Sequence, residues 1–273
     1  MENRNIAKII YQASYVICLG VLSHCLLWGN GENALALRQV AVQSLIQDNN
    51  DYSDLVQAIV DGNTSLSLQL LSNLPKIDIT NYYGWTPLFH AIKHNRSELV
   101  VYMLKKRANP NVISDAGISP LAVAAANDNF EITKLLLENG ARANSLGAKG
   151  SSPLSSAISS CSDVKLIKLL IDHGAEVNVK DSFGRTPLIE VCRHQPETTQ
   201  LLVDQGAWVN EQDHNGRTAL LNAASYRGYE IAEILLKNGA YTHISDKNGV
   251  NPWKIALKRK DKKLLKILGK HPH

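Results

Sequence analysis

Residues 117–144 read GISPLAVAAANDNFEITKLLLENGARAN, and this stretch decides the fold. Gly117 permits a tight turn, Ser119 offers a hydroxyl that caps a helix N-terminus, and Pro120 suits the first helical position because its φ is fixed and it has no orphan N–H. Leu121 to Ala126 then reads as a short helix of small residues. A polar turn follows, and Glu131 to Leu137 is a second helix with its apolar residues on one face at helical spacing. Gly140 ends it, because a chain leaving a helix at positive φ favours glycine. Ala141 and Asn144 come next.

The same order recurs along the chain. The turn glycines Gly84, Gly117, Gly150, Gly184, Gly216 and Gly249 are 33, 33, 34, 32 and 33 residues apart. Two residues after each stands a capping residue, in all but one case followed by Pro: Thr86-Pro87, Ser119-Pro120, Ser152-Pro153, Thr186-Pro187, Thr218-Ala219 and Asn251-Pro252. The second helix returns as Lys165 to Leu170 and Glu230 to Leu236, and the stopping glycine as Gly174, Gly206 and Gly239. After them Asn178 and Asn210 repeat the place of Asn144. A fixed period of this size means units that bury each other's apolar faces in a stack.

Turn-Gly-x-Thr-Pro-Leu, a small-residue helix, a Leu-Leu helix and Gly-Ala-x-x-Asn together resemble the ankyrin repeat. The resemblance covers Asn81 to about Leu268. It implies an all-α solenoid of stacked antiparallel helix pairs with projecting β-turn fingers. Asp54 to Val60 with Asp61-Gly62-Asn63, then Leu66 to Leu74 and Ile77 to Asn81, resemble an N-terminal cap repeat. The expected layout is a leader over 1–36, a lead-in over 37–53, a cap repeat over 54–80, five repeats over 81–243 and a C-terminal cap with a basic tail over 244–273. Departures are visible. The family's usual His after Thr-Pro-Leu is replaced by Phe89, Ala122, Ser155, Ile189, Leu221 and Lys254, so the inter-repeat bonding that His supplies is expected to be missing. Arg107 stands where the helix-ending Gly belongs, a cost of about 1 kcal/mol if its φ is positive. The third repeat has one extra residue around Ser160 to Asp163, and the fourth is one short, with Pro196 in its connection.

The first residues read differently from the repeats. A short polar start with Arg4 and Lys8 precedes a mostly apolar run from Ile9 to Trp28, a polar break, and Ala34-Leu35-Ala36. This is the layout of a secretory signal peptide with Ala34 and Ala36 at the positions a signal peptidase reads, giving a mature start at Leu37. The apolar run is also long enough to span a bilayer as an uncleaved anchor. Polar residues within it, Gln12, Ser14, Ser23 and His24, favour cleavage. Cys18 and Cys25 lie inside it. That leaves Cys161 and Cys192, whose places in adjacent repeats differ, so they are read first as small semi-buried hydrophobes and second as a bridge.

Composition supports a globular chain of ordinary type, with 44% hydrophobic and 20% charged residues and a formal net charge of +4. Lys254 to His273 carries eight basic residues and one acid, Asp261, so the excess sits at the C-terminus and not in the aromatic-interleaved stripe of a nucleic-acid binder. Lys258 to Leu268 reads as one amphipathic final helix, either a solvated outer face of a cap or a surface for anionic lipid or an acidic partner. No nucleotide, acyl-transfer or zinc-hydrolase string occurs. His90 and His94 are four apart on one helix, but no third ligand of fixed spacing follows, so no metal and no cofactor is expected.

In the ankyrin family, ligands dock on the face made by the fingers and the exposed edge of the first helices. Carried over position by position, the fingers present Tyr82, Tyr83 and Trp85, then Phe183 and Arg185, then His214, Asn215 and Arg217. The helix edges present Lys93 and His94, Arg193 and His194, and Ser225 and Tyr226. Aromatics and Arg at positions that packing does not require are the types that dominate interface energies. Sideways packing of finger aromatics on neighbouring fingers is the structural alternative. Trp208, whose counterparts are Arg142, Glu176 and Tyr241, suggests a second contact at the loop edge. The expected function is non-catalytic protein binding by a monomer outside the cytosol, in a bacterial periplasm, with inhibition of an exported enzyme or toxin as its sharper form. A membrane-tethered envelope scaffold is the rival, its only membrane contact being the N-terminal segment.

Overall fold

The computed structural model describes residues 51–74, 76–191 and 195–270. The leader with Ala34 and Ala36, and also Cys192, Arg193 and His194, lie outside the described residues. The architecture below is that of the compact unit that begins at Asp54.

Helix α1 runs through residues 54–61 of this unit and α2 over Thr64–Asn73. The pairs that follow are α3 (Pro87–Lys93) with α4 (Ser97–Lys105), α5 (Pro120–Ala126) with α6 (Phe130–Glu138), and α7 (Pro153–Ser159) with α8 (Val164–Asp172). Then come α9 (Pro187–Glu190) with α10 (Pro196–Asp204), α11 (Ala219–Tyr226) with α12 (Tyr229–Lys237), and α13 (Pro252–Lys258) with α14 (Lys262–Gly269). No strand occurs among the described residues.

First helices stack on first helices, α3 to α5 to α7 to α9 to α11 to α13, and second helices on second helices from α2 to α14. Leu88, Leu121, Leu154, Leu188 and Leu220 fill one layer of this stack, and Met103, Leu136, Leu170, Leu202 and Leu235 fill another, all buried. Burying one such side chain stabilises by roughly 1.5–3 kcal/mol. Ala91, Ala124, Ala157, Ala223 and Ala256 recur at one buried position of the first helices, where a small side chain lets neighbouring helices approach.

The caps work as the sequence implies at five of six places. Thr86, Ser119, Ser152, Thr218 and Asn251 each accept a hydrogen bond from the backbone N–H three residues on, at 2.9–3.2 Å. Thr186 does not; its hydroxyl is buried with no partner among the described residues. Its helix, α9, is only four residues long and gives way at Val191 to non-helical backbone. The missing residue of the fourth repeat falls between Pro187 and Pro196, where its two helices begin nine residues apart against ten or eleven in the other pairs. The extra residue of the third repeat lies just after the inter-helix turn, where buried Ser162 donates to the Ala125 carbonyl at 3.0 Å.

Inter-repeat bonding is made by asparagine at the loop edge. Asn111, Asn144, Asn178 and Asn210 donate to the carbonyls of Gly140, Gly174, Gly206 and Gly239 in the next repeat, at 2.8–3.0 Å. Their side-chain oxygens accept from the N–H groups of Arg142, Glu176, Trp208 and Tyr241 at 2.8–2.9 Å. The first five full repeats are thus tied, each to the next, by two hydrogen bonds at the loop edge.

Arg107 sits at φ +63°, at the place where Gly140, Gly174, Gly206 and Gly239 have φ of +82° to +86°. Arg107→Gly is expected to raise stability by about 1 kcal/mol in urea denaturation, since only the side chain makes this conformation costly.

Two expectations are corrected. Lys258 to Leu268 is not one helix: the chain turns at Lys260, φ +53°, and Asp261 caps α14 by accepting from Leu264 N–H at 3.0 Å. A positive φ and a capping carboxylate end one helix and begin the next. Cys161 is not a semi-buried hydrophobe. It is exposed, at φ +57° in the turn between α7 and α8, and it is disulfide-bonded. A turn position that projects into solvent gives a thiol no apolar shell.

Candidate binding surface

Each finger is a tight turn braced from inside. Asn81, Asp181, Asp213 and Asp246 each accept two backbone N–H bonds across their own turn through one side-chain oxygen, at 2.8–3.0 Å. Fingers are then linked by backbone rungs, among them Asp115 N–H to Tyr83 O at 3.0 Å and His214 N–H to Phe183 O at 2.8 Å. At Gly117 the contact is tight enough that a Cβ would come 2.6 Å from Ala148 N. The rungs hold the projecting side chains in register, so what the fingers display is fixed by the backbone rather than by side-chain packing.

The sequence-derived residues fall into two groups. In the first, Tyr82 and Tyr83 are exposed and meet edge to face at 5.4 Å. Half-buried Trp85 stacks on Phe89 of its own repeat at 5.0 Å and meets His90 edge-on at 5.2 Å. Lys93 lies over the Trp85 ring at 4.2 Å. Burial pushes His90 down to about 4, with the charges of His94 and Lys93 acting in the same direction. His94, half-buried, is lowered by desolvation and then by Lys93 and Arg96. Protonating either imidazole costs free energy here, so this face carries its positive charge on Lys93.

The second group forms a concavity of about 440 Å³ between the fourth and fifth fingers and the helices behind them. Phe183, Arg185, Asn215, Arg217 and Tyr226 line it, as do Ile189, Glu190, Asp213 and Asn222. Phe183 is 46% and Tyr226 56% exposed, so two aromatic faces are open to solvent. Arg185 is held between Asp181 Oδ2 at 2.6 Å and Glu190 Oε1 at 3.0 Å, with its guanidinium 5.1 Å from the Phe183 ring. Arg217 Nη2 reaches Ser225 Oγ at 3.4 Å. His214 and Asn215 are exposed at the tip of the fifth finger.

The Glu190 carboxyl is pushed up by burial, which the Arg185 charge and a hydrogen bond from Ser155 only partly oppose. Arg185 also rises: desolvation pulls it down, but the bond to Asp181 and the charges of Glu190 and Asp181 outweigh that. An ion pair in which both partners rise is one where burial governs the acid. Glu190 Oε2 and Arg217 Nε are buried without a hydrogen-bond partner among the described residues. Groups of this kind cost about 1–3 kcal/mol each while unsatisfied. Asp181, Glu190 and Asp213 were missed in the sequence. Asp181 and Asp213 had a signal, an acid or amide three residues before the turn Gly, which recurs at Asn81 and Asp246 though not at Ser114 or Gly147. Glu190 had none.

Two other places carry less. A second concavity of about 540 Å³ lies at the loop edge, lined by Asn111, Arg142, Asn144, Leu146 and His173. Its asparagines are engaged in the inter-repeat ladder. Trp208 is exposed, with its backbone N–H donated to Asn178 Oδ1.

Stacked helix pairs with a braced row of fingers, whose tips vary while the core positions do not, define a helical repeat protein of the binding class. The chain belongs to the ankyrin-repeat family: Ankyrin repeats (3 copies) match residues 26–114, 106–181 and 157–246. The structure adds α13 and α14 beyond the last matched residue. No curated protein matches the chain significantly in sequence. Ankyrin repeats are in general protein–protein interaction modules and typically non-catalytic.

Proposed function

We propose that the chain is a non-catalytic binder of another protein, acting outside the cytosol, and that the groove between the fourth and fifth fingers is its main contact. The observation that carries this reading is the groove itself: two exposed aromatic rings flank two arginines, one of them fixed by a pair of carboxylates. Aromatic and Arg side chains dominate interface energetics, and an Arg already held in place loses less entropy on binding. The Tyr82, Tyr83 and Lys93 group extends the same face toward the N-terminal repeats.

Export is supported by the leader-like residues 1–36 and by the disulfide at Cys161, since disulfides persist in oxidising compartments such as the bacterial periplasm. The sharper form is inhibition of an exported enzyme or toxin, for which a rigid finger face is suited to cover an active-site mouth. Affinity capture from a host envelope extract tests the main reading. The wild-type chain is expected to retain a protein that Phe183→Ala/Arg217→Ala/Tyr226→Ala releases, with at least a fivefold weaker affinity per hot-spot side chain. Retention of the same proteins by the triple variant contradicts it. The mass of the mature chain tests export: a start at Leu37 is expected, and a chain retaining Met1 favours the tethered form.

A further inference from the structure

The last helix pair leaves uncovered what every inner pair buries. Ile92, Ala125, Ile158 and Ala224 occupy one position of the first helix and are at most 1% exposed, while Leu257 at that position is 62% exposed. Leu88, Leu121, Leu154, Leu188 and Leu220 are buried, and their counterpart Trp253 is only half-buried. Val100, Thr133, Ile167, Thr199 and Ala232 are buried in the second helices, and Leu265 is again half-buried. The face that elsewhere receives the next repeat is here an apolar stripe. A repeat that only ends a stack carries a polar outer face instead.

The charges around this stripe are of one sign. Lys258, Lys260, Lys262, Lys266 and Lys270 are exposed, and none has an ion-pair partner among the described residues. Of the two acids of the last repeat, Asp246 braces its own turn, and Asp261 is occupied as the cap of α14 and as acceptor for the Tyr229 hydroxyl at 2.9 Å. Trp and Leu ringed by lysines are the composition of elements that lie on a membrane surface, with the apolar side chains at the acyl boundary and ammonium groups among anionic headgroups. Protein interfaces, by contrast, are depleted in Lys and favour Arg. We infer that the C-terminal end of the stack docks on an anionic lipid surface, seating Leu257 and Trp253 in the headgroup layer within the lysine ring.

The site is separate from the groove, so its failure leaves the proposed protein binding untouched. The test is sedimentation of the full chain with phosphatidylcholine vesicles made with and without phosphatidylglycerol. Residues 9–28 can partition into either vesicle, so the readout is the part of binding that requires phosphatidylglycerol. That part is expected to fall as salt rises. Lys258→Gln/Lys262→Gln is expected to weaken it about tenfold or more, and Leu257→Ser about tenfold, with unchanged circular dichroism because all three side chains are exposed. Equal binding to both vesicle types, or variants that bind like the wild type, overturns the inference. So does self-association or capture of a protein that Leu257→Ser abolishes in the absence of phosphatidylglycerol dependence, which assigns the stripe to a protein neighbour.

Discussion

Leu154→Ala is expected to destabilise the stack by about 3–4 kcal/mol and to turn one urea transition into two. Leu154 is fully buried in α7, between α5 and α9, and the cavity left by three missing carbons cannot collapse when both neighbours are helices tied to their own repeats. The split arises because the adjoining fourth repeat is already weak. Its first helix has four residues, its cap hydroxyl is unsatisfied, and Thr198 and Thr199 are buried where the preceding repeat has Leu166 and Ile167. In a one-dimensional array, stability is a sum of repeat and interface terms, so weakening the joint beside a weak repeat uncouples the two sides. Leu257→Ala, at the equivalent of a core position but exposed, is expected to change stability by less than about 0.5 kcal/mol. Urea titrations followed by circular dichroism give both numbers. A single unshifted transition for Leu154→Ala contradicts the packing described here.

Acid is expected to destabilise the protein through His90. In the folded state burial holds this imidazole at about 4, against an ordinary value of 6.5, so between these values the unfolded chain takes up a proton that the folded chain refuses. Stability from this group is therefore complete above pH 6.5 and is lost as pH falls toward 4. Each pH unit in that window costs about 1.4 kcal/mol, for a total of about 3 kcal/mol. His94, lowered for similar reasons, acts in the same sense. Glu190 acts in the opposite sense, because its raised carboxyl binds a proton more tightly when folded and so favours the folded state as pH falls. The clean observable is the difference between wild type and His90→Gln: the variant's stability is expected to decline less between pH 6.5 and 4. Parallel pH profiles contradict the assignment.

Most of the fold was readable because periodicity reports it directly. The turn glycines, the Ser/Thr-Pro caps and the Leu-Leu helices each state a backbone requirement, and positive φ at Gly84, Gly117, Gly150, Gly184, Gly216 and Gly249 follows from those identities, while at Arg107 it follows only from the residue's place in the period. The region from Lys258 was read as one helix because its hydrophobic spacing carries across Lys260 and Asp261, while the break there depends on a left-handed residue that a lysine does not announce. The finger residues were found by counting positions, which places Phe183, Arg185, Arg217 and Tyr226 together. Counting puts Glu190 at the position of His90, Val123, Ser156 and Asn222, but it does not reveal that its carboxylate clasps Arg185 at 3.0 Å, because that contact depends on side-chain packing and not on the period. Counting places Trp85 on a finger, but its stacking on Phe89 and its edge-on contact with His90 set it partly into the body of the protein.

The claim that the finger face is the contact surface is tested most directly by photocrosslinking in the native host. A photoreactive side chain is placed in turn at Phe183 and Tyr226, in the groove, and at Lys134 and Lys168, exposed on the second helices α6 and α8. Adducts with one protein of defined mass are predicted from Phe183 and Tyr226 and from neither lysine. Adducts from the lysine positions alone, or equally from all four, contradict it.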